Sequence, residues 1–271
     1  MKIYIMTDME GVAGAINSND WMKPGGRYYE EGKKFLTEEV NAAIRGFFDG
    51  GADEITVSDG HGSGGITPEL LDSRAWLLRG WPTGWPFCLD ESYDAIAFVG
   101  QHAKTNTPFA HLAHTQSFGM ASFTINGVSV GEFGQFACCA AFLKIPVIFG
   151  SGDRAFTEEA HALAPGIKTV EVKRGVTPGT GEELSAEDYA LRNTSAIHMH
   201  PKKSRELIED GVRKAAERFL IDPSTFPLIK LNAPFRIEAF YRSRDGAKAY
   251  GAFAEHPTSL IECMNKEETK L

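Results

Sequence analysis

The stretch Lys2-Ile-Tyr-Ile-Met-Thr7 runs directly into Asp8-Met-Glu10-Gly11. An apolar run of this kind, with no helical period, predicts a buried strand that delivers both carboxylates at its carboxyl end. Residues two apart in a strand point to the same side, so we expect the side chains of Asp8 and Glu10 to lie close together. Carboxylates at such a distance repel each other unless a proton or a cation lies between them. The stretch therefore predicts a metal, or a shifted pKa, at the exit of the first strand.

Two later strands end in histidines in the same way. The predicted strand Glu54–Ser58 leads into His61, and the predicted strand Ala95–Val99 leads into His102. Apolar residues at helical spacing over about 27–48 join the first two strands, which makes a βαβ unit with a right-handed crossover. Sites in open α/β sheets gather beyond the carboxyl ends of the strands. Both histidines are therefore expected in one crevice with the two carboxylates.

The chain beyond the third strand adds two more polar candidates. Asn126-Gly127 lies between two alternating runs and predicts a β-hairpin. That hairpin delivers Glu132 to the start of an apolar helix, where a carboxylate is also favourable for the helix dipole. His114 lies upstream, in a loop of small and polar residues. Glu132 is a candidate metal ligand, and His114 is a candidate for proton transfer.

The five candidate ligands suit zinc better than magnesium or calcium, because imidazole joins the carboxylates. They exceed the needs of one tetrahedral ion and fit two metals about 3.5–4 Å apart with one bridging carboxylate. Two divalent ions, three carboxylates and one hydroxide give a neutral site, and metal-bound water ionises at a pKa of about 7. The pattern predicts a two-metal hydrolase with these ligands: Asp8, Glu10, His61, His102 and Glu132.

The remaining pattern predicts an α/β fold, with a mostly parallel sheet and helices on both faces. Strands are expected at about 146–149 and 168–172, and residues 185–220 are expected to be mainly helical with an interruption near Pro201. Strands bounded by proline follow. We therefore predict an α/β catalytic domain over residues 1–221 and a small C-terminal α+β subdomain over 222–271, with a soft boundary between them.

The composition narrows the possible partners. The 271 residues carry a net charge of −8 with acidic and basic residues interspersed, which makes nucleic acid and anionic membranes unfavourable partners. No window is long and apolar enough for a membrane span, and the first residues form a strand and not a leader, so a cytoplasmic location is expected. The cysteines contain no C-x-x-C pair, which argues for reduced thiols and against a zinc ribbon; they are Cys88, Cys138, Cys139 and Cys263.

The motifs together resemble the zinc-dependent D-aminopeptidase family. The resemblance is collinear over roughly residues 1–240 and rests on Asp8-Met-Glu10-Gly11, Arg27-Tyr-Tyr-Glu-Glu-Gly, Asp59-Gly-His61, Gly100-Gln-His102-Ala, His114-Thr and Asn126-Gly to Gly131-Glu132. It departs near the end, where family members have a further strand and an amphipathic helix, whereas this chain runs on from Tyr250 into a polar tail.

The resemblance implies a role for each candidate residue. Asp8 would bridge two zinc ions, Glu10 and His61 would complete one ligand shell, and His102 with Glu132 would complete the other. It further implies release of N-terminal D-amino acids from short peptides, and a ring-shaped homo-oligomer that encloses its active sites.

His114 falls on the family's catalytic histidine that is not a ligand. A peptidase needs a proton shuttle beside the attacking water and the leaving amine, and imidazole suits both directions near neutral pH. A hydrogen-bonded loop histidine is the alternative for this residue. For the whole chain, the alternatives are another two-metal amidohydrolase or phosphoesterase acting on a small molecule, and a non-catalytic metal-binding relative.

Several other sequence patterns suggest different sites or functions. Gly127-Val-Ser129-Val-Gly131 spells a nucleophile elbow, but the turn precedes Ser129 and places it within a strand. His198 and His200 are expected on a helix surface, and Asp59 is expected to cap its loop. The glycine-rich stretch Gly62–Gly65 is expected to be flexible. The aromatic loop is a candidate for a pocket wall or an interface, through Trp76, Trp81 and Trp85.

Overall fold

The computed structural model describes residues 1–62, 64–80 and 84–271. Ser63 of the glycine-rich stretch and Trp81 of the aromatic loop lie outside the described residues. The strands are Lys2–Thr7 (β1), Glu54–Ser58 (β2), Trp76–Leu78 (β3), Ala95–Gln101 (β4), Met120–Ile125 (β5), Val128–Ser129 (β6), Val147–Asp153 (β7), Lys168–Gly175 (β8), Ala196–His198 (β9), Phe235–Tyr241 (β10), Tyr250–His256 (β11) and Thr269–Lys270 (β12).

The helices lie between or after the strands along the whole chain. They are Ser18–Trp21 (α1), Tyr29–Asp49 (α2), Glu132–Phe142 (α3), Arg154–Leu163 (α4), Ala186–Leu191 (α5), Pro201–Ile221 (α6) and Leu260–Met264 (α7). Short 3-10 turns lie at Pro68–Leu70 and Pro223–Thr225. None of these helices is both long and apolar enough to cross a bilayer.

The larger sheet has the order β3-β2-β1-β4-β7-β8-β9. β1 lies near its centre and pairs in parallel with β2 and β4, and β9 is the antiparallel strand at one edge. Because side chains alternate along a strand, Ile3 and Ile5 face a core that includes α2 and α6, whereas Tyr4 faces a core that includes α3 and α4. The prediction of a mostly parallel sheet with helices on both faces is confirmed.

The smaller sheet is antiparallel, with the order β12-β11-β10-β5-β6. The predicted hairpin at Asn126-Gly127 forms β5 and β6, and β5 also pairs with β10 along the register Ile125 to Ile237. The sheet thus combines residues 120–129 with residues from 235 onward. The domain division at residue 221 stays a prediction.

Residues 185–220 are mainly helical with an interruption before Pro201, as predicted; the interruption is the strand β9, in which Ala196–His198 satisfies its main-chain groups by extending the sheet edge beside β8. One expectation about the end of the chain was wrong. The segment after Tyr250 is not merely a polar tail. It forms β11 and the short helix α7, whose Leu260 and Cys263 are buried against the smaller sheet.

Candidate metal centre

The exits of β1, β2 and β4 place the predicted ligands at one edge of the larger sheet. Asp8, Glu10, His61 and His102 are all buried there, although each is polar. Glu132 is the first residue of α3, and His114 lies in the loop between β4 and β5. A cavity of about 560 Å³ opens at this edge, and Glu10, His61, His114 and Glu132 all line it. We call it the site cavity.

The first candidate ligand set consists of Asp8, Glu10 and His61. The Nδ1 atom of His61 lies 3.0 Å from Asp8 Oδ1 and 2.9 Å from Glu10 Oε2. The Asp8 carboxylate is fixed from both sides, since Met9 N donates to Oδ1 at 2.8 Å and Gln101 Nε2 donates to Oδ2 at 3.3 Å. Each of the three side chains offers one ligand atom to a common point.

The second candidate ligand set consists of His102, His114 and Glu132, and Asp8 of the first set lies beside it. His102 Nε2 lies 3.1 Å from Asp8 Oδ2 and 3.6 Å from Glu132 Oε1. His114 Nε2 is also 3.6 Å from Glu132 Oε1, and its ring stacks on that of His102 with centroids 4.1 Å apart. One ligand atom from each of His102, His114 and Glu132 lies within 4.8 Å of the other two, close enough for the three residues to hold a metal ion. His114 therefore lies close enough to be either a ligand or a neighbouring acid or base.

The imidazoles are oriented by main-chain carbonyl oxygens. His61 Nε2 faces Met22 O at 2.8 Å, His102 Nδ1 faces Ala103 O at 2.9 Å, and His114 Nδ1 faces Leu112 O at 2.8 Å. Since a carbonyl oxygen only accepts, the ring nitrogen facing it carries a hydrogen. In each neutral ring the other nitrogen presents a lone pair to the carboxylates, and this is the arrangement of metal-binding histidines.

Two buried atoms support the same interpretation. Within the described residues, neither Glu10 Oε2 nor His102 Nε2 makes a hydrogen bond of good geometry, although His61 Nδ1 lies 2.9 Å from the first atom and Asp8 Oδ2 lies 3.1 Å from the second. A buried polar atom without a good hydrogen bond is costly, and a divalent ion beside each of the two atoms would satisfy it. Nitrogen and oxygen donors in this mixture fit a borderline ion such as zinc.

The electrostatics of the cluster also call for positive charge. Burial alone would raise the pKa of Asp8, but hydrogen bonds with His102 and His61 lower it below its ordinary value. Burial likewise opposes ionisation of Glu132, yet the charge of His102 outweighs it and lowers the pKa of Glu132 to about 2. Conversely, burial disfavours protonation of His61 and His102. The negative charge of Glu10 nevertheless raises the pKa of His61 well above its ordinary value, and the charge of Glu132 does the same for His102. The carboxylates stay ionised and need either imidazolium or metal ions between them.

Glycines allow the exits of β1 and β4 to approach each other closely. Gly11 N donates to Gly100 O at 2.7 Å, and Asp8 N donates to Val99 O at 3.0 Å. A Cβ atom on Gly100, whose φ is +77°, would lie 2.0 Å from Asp8 O. The distance between the two ligand-bearing loops thus depends on the absence of a side chain at this position.

The loop that carries His114 is held in an unusual conformation. Leu112, whose carbonyl orients His114, has a φ of 54°, and Gln116, whose N–H donates to Glu132 Oε1 at 2.7 Å, has a φ of 60°. The left-handed region costs an ordinary residue free energy, and such residues concentrate at functional sites. Both strained residues contact members of the ligand cluster.

Aromatic rings form the apolar wall of the site cavity through Trp85, Phe87, Phe118 and Phe136. Trp85 is held by Asn265 beyond α7: Trp85 N donates to the Asn265 side-chain oxygen at 2.8 Å, and the Asn265 amide donates to Trp85 O at 2.8 Å. The aromatic loop therefore contributes to a pocket wall through Trp85. Trp76 is exposed on β3 and does not line the site cavity.

A buried polar layer behind the site was not predicted from the sequence. Ala13 N donates to Glu39 Oε1 at 3.2 Å, Gly14 N donates to His198 Nδ1 at 3.1 Å, and Lys173 Nζ donates to Ala15 O at 3.3 Å. These contacts fix the chain that follows Glu10. The expectation of His198 on a helix surface was wrong, because this residue belongs to β9 and faces inward.

The sequence patterns that suggested other sites have structural roles. Ser129 lies on the exposed strand β6, as expected for a position after the turn, and not at an elbow. Asp59 accepts hydrogen bonds from Gly65 N at 2.6 Å and from Arg79 Nε at 2.9 Å, so it caps the loop after β2 as expected. Cys138, Cys139 and Cys263 are buried free thiols in the core that packs against the smaller sheet.

Comparisons with known proteins agree with the geometry. The family model described as D-aminopeptidase matches residues 1–256. A D-aminopeptidase from Bacillus subtilis (strain 168) is 34% identical over 188 residues, which cover 68% of this chain and 68% of that protein.

A solved structure has the same fold. It is the Zn-dependent D-aminopeptidase DppA from Bacillus subtilis, a self-compartmentalizing protease, and it superposes with a TM-score of 0.81 at 23% identity. The superposition covers 98% of this chain and 94% of that one, so the likeness extends through the smaller sheet and the segment after Tyr250.

Proposed function

Because this chain belongs to the D-aminopeptidase family, we propose that it releases N-terminal D-amino acids from short peptides at a binuclear zinc site. One observation carries the metal part of the proposal. Three imidazoles are each held at one nitrogen by a main-chain carbonyl and present the other nitrogen to carboxylates. The D-configuration of the substrate is inferred from the family and from the relative.

Asp8 is the residue that joins the two halves of the site. Its Oδ1 faces His61 and its Oδ2 faces His102, at 3.0 and 3.1 Å. Asp8 would therefore bridge two ions, with Glu10 and His61 completing one shell and His102 and Glu132 completing the other. When bound, the zinc ions would polarise the scissile carbonyl and lower the pKa of a water molecule to about 7.

His114 would move the protons of the reaction. Its Nδ1 hydrogen is committed to Leu112 O, so its Nε2 atom is left to accept a proton from water and return it to the leaving amine. Stacking on His102 and the contact with Phe118 hold the ring in place at the cavity surface. This division of labour requires that His114 is not itself a ligand.

The cavity and the relatives support the remaining parts of the proposal. About 560 Å³ is a volume typical of small-molecule sites, and the aromatic wall suits apolar side chains of a short peptide. The structural relative is a self-compartmentalizing protease, which supports a ring-shaped homo-oligomer for this chain as well. A cytoplasmic location stays a prediction.

The test is metal content by elemental analysis, on protein purified without chelator, beside hydrolysis of D-Ala and L-Ala p-nitroanilide. We expect about two zinc ions per chain, as in two-metal hydrolases, and selective cleavage of the D-substrate. Metal binding without cleavage, together with activity on a phosphate ester, would favour a different two-metal hydrolase. Failure to take up zinc even after zinc is added back would contradict the metal centre itself.

A further inference from the structure

A single positively charged side chain, that of Lys23, lines the site cavity within the described residues. Lys23 is the only lysine or arginine that lines it within the described part of the chain, whereas Asp8, Glu10 and Glu132 line it as carboxylates. The residue lies on the loop between α1 and α2, which forms one side of the opening.

The main chain beside Lys23 is attached directly to the ligand cluster. Met22 O, one residue earlier, accepts from Nε2 of His61 at 2.8 Å. The position of Lys23 relative to the metal ligands is thus fixed by a buried contact and not by a free loop. Lys23 is exposed, and its four-carbon stem is long enough to carry the ammonium across the edge of the site cavity that this residue lines.

The Lys23 ammonium carries a charge that the described residues do not neutralise. Its Nζ donates to Asn19 Oδ1 at 3.1 Å, and this amide oxygen has no charge. Other lysines form ion pairs, such as Lys2 with Glu54 at 3.1 Å and Lys33 with Glu30 at 2.7 Å. Since an ammonium has three donors, two remain to bind an anion.

A short peptide with free ends supplies such an anion. We propose that Lys23 binds the free α-carboxylate of a dipeptide substrate, and that it makes this enzyme select dipeptide acids over peptides whose carboxylate is blocked. The inference rests on the proposed function. An extended dipeptide spans only about 7 Å, so its carboxylate stays near the scissile bond and within the cavity that Lys23 borders. The Lys23 ammonium thereby provides a binding site for the negatively charged end of the substrate, in a cavity whose charged lining is otherwise acidic.

The test compares D-Ala-D-Ala with D-Ala-D-Ala amide, which differ only in the carboxylate. For the zinc-loaded wild type we expect kcat/KM to be about tenfold higher on the acid, the effect of one charged hydrogen bond. Lys23→Met should lower kcat/KM on the acid by about tenfold and leave the amide within about twofold, which also shows that the variant is folded. Lys23→Arg should retain most of the preference for the acid.

The control is Arg27→Gln. Arg27 is on the same loop, but its guanidinium lies over the Tyr28 ring at 5.2 Å and it is not among the described residues that line the site cavity. It should change neither rate. An unchanged ratio of acid to amide in Lys23→Met, or an equal loss on both substrates, would overturn the role of Lys23 while the proposed function stands. If the wild type cleaves neither peptide, both proposals fall.

Discussion

His114 and His102 stack face to face, but their surroundings differ. His102 is buried and lies 3.1 Å from Asp8, whereas His114 is half-buried, lines the site cavity and, within the described residues, has its carboxylate contact with Glu132. At the residue scale, we propose that this difference in position separates a metal ligand, His102, from a proton carrier, His114.

Replacing His114 tests that separation. We expect His114→Ala to keep two zinc ions per chain and to lower kcat by about 10²–10⁴-fold, the usual contribution of a positioned acid or base. Zinc content and kcat are measured on the same preparation. His161→Ala is the control, because His161 is an exposed residue whose ring contacts Thr169. Loss of one zinc ion from His114→Ala would make His114 a ligand instead.

Glu39 gives a prediction for stability against pH. Burial raises its pKa to about 7 from the ordinary 4.5. Between these values the folded protein binds more protons than the unfolded chain, so this residue lowers the free energy of unfolding as pH rises from 4.5 to 7. Glu39→Gln keeps the acceptor for Ala13 N and removes the titration.

Relative to the wild type, we therefore expect Glu39→Gln to gain about 2 kcal/mol of stability between pH 5 and pH 8. Urea unfolding of the zinc-loaded proteins at both pH values measures this. Glu38→Gln serves as the control on the same helix, because Glu38 is partly exposed beside Arg205. Parallel pH profiles for Glu39→Gln and the wild type would contradict the buried charge.

At the scale of elements, the part of the site that lies at the ends of the parallel strands could be predicted from the sequence. Asp8, His61 and His102 each follow a recognisable parallel strand, and topology alone brings such exits together. Glu132 was found through the Asn126-Gly127 turn, which is a local signal. The contact of Met22 with His61 and the inward position of His198 depend on pairings between distant segments, which no local pattern records.

The close approach of the exits of β1 and β4 can be tested at Gly100. Gly100→Ala should cost about 3 kcal/mol or more and weaken zinc binding, because its Cβ would push Asp8 away from β4. Gly246→Ala is a matched control: its φ is also +77°, and nothing lies within 4 Å of the added Cβ. It should cost only the strain of the left-handed backbone. Equal losses of stability in Gly100→Ala and Gly246→Ala would mean that the close approach of β1 and β4 adds nothing to the strain of the left-handed backbone.

The attachment of Trp85 to Asn265 links α7 to the aromatic wall. We expect Asn265→Ala to lose about 1 kcal/mol of stability and to raise KM with little change in kcat, because binding surface and not chemistry is affected. Asn41→Ala removes a comparable pair of side-chain contacts, with Leu70 O and Asp72 N, away from the site cavity, and should leave KM unchanged. Steady-state kinetics with urea unfolding separates the two effects. A wild-type KM for Asn265→Ala would exclude this role.

At the scale of the whole molecule, a ring would restrict which substrates reach the site. Light scattering should give a mass several times the 29.7 kDa of one chain, and the assembly should cleave short D-peptides but not folded proteins. Active material that stays at 29.7 kDa at working concentration would contradict the proposed assembly.

The contact between Trp85 and Asn265 also has a consequence for biosynthesis. The two residues are 180 positions apart, and β5 likewise waits for β10 before its pairing is complete. A ribosome adds roughly 5–20 residues per second, so the nascent chain carries the metal-ligand motifs for many seconds before residue 265 is made. During that interval Trp85 of the aromatic wall lacks its hydrogen bonds with Asn265. The order of synthesis therefore completes the aromatic wall of the site cavity only when almost the whole of this sequence has been translated.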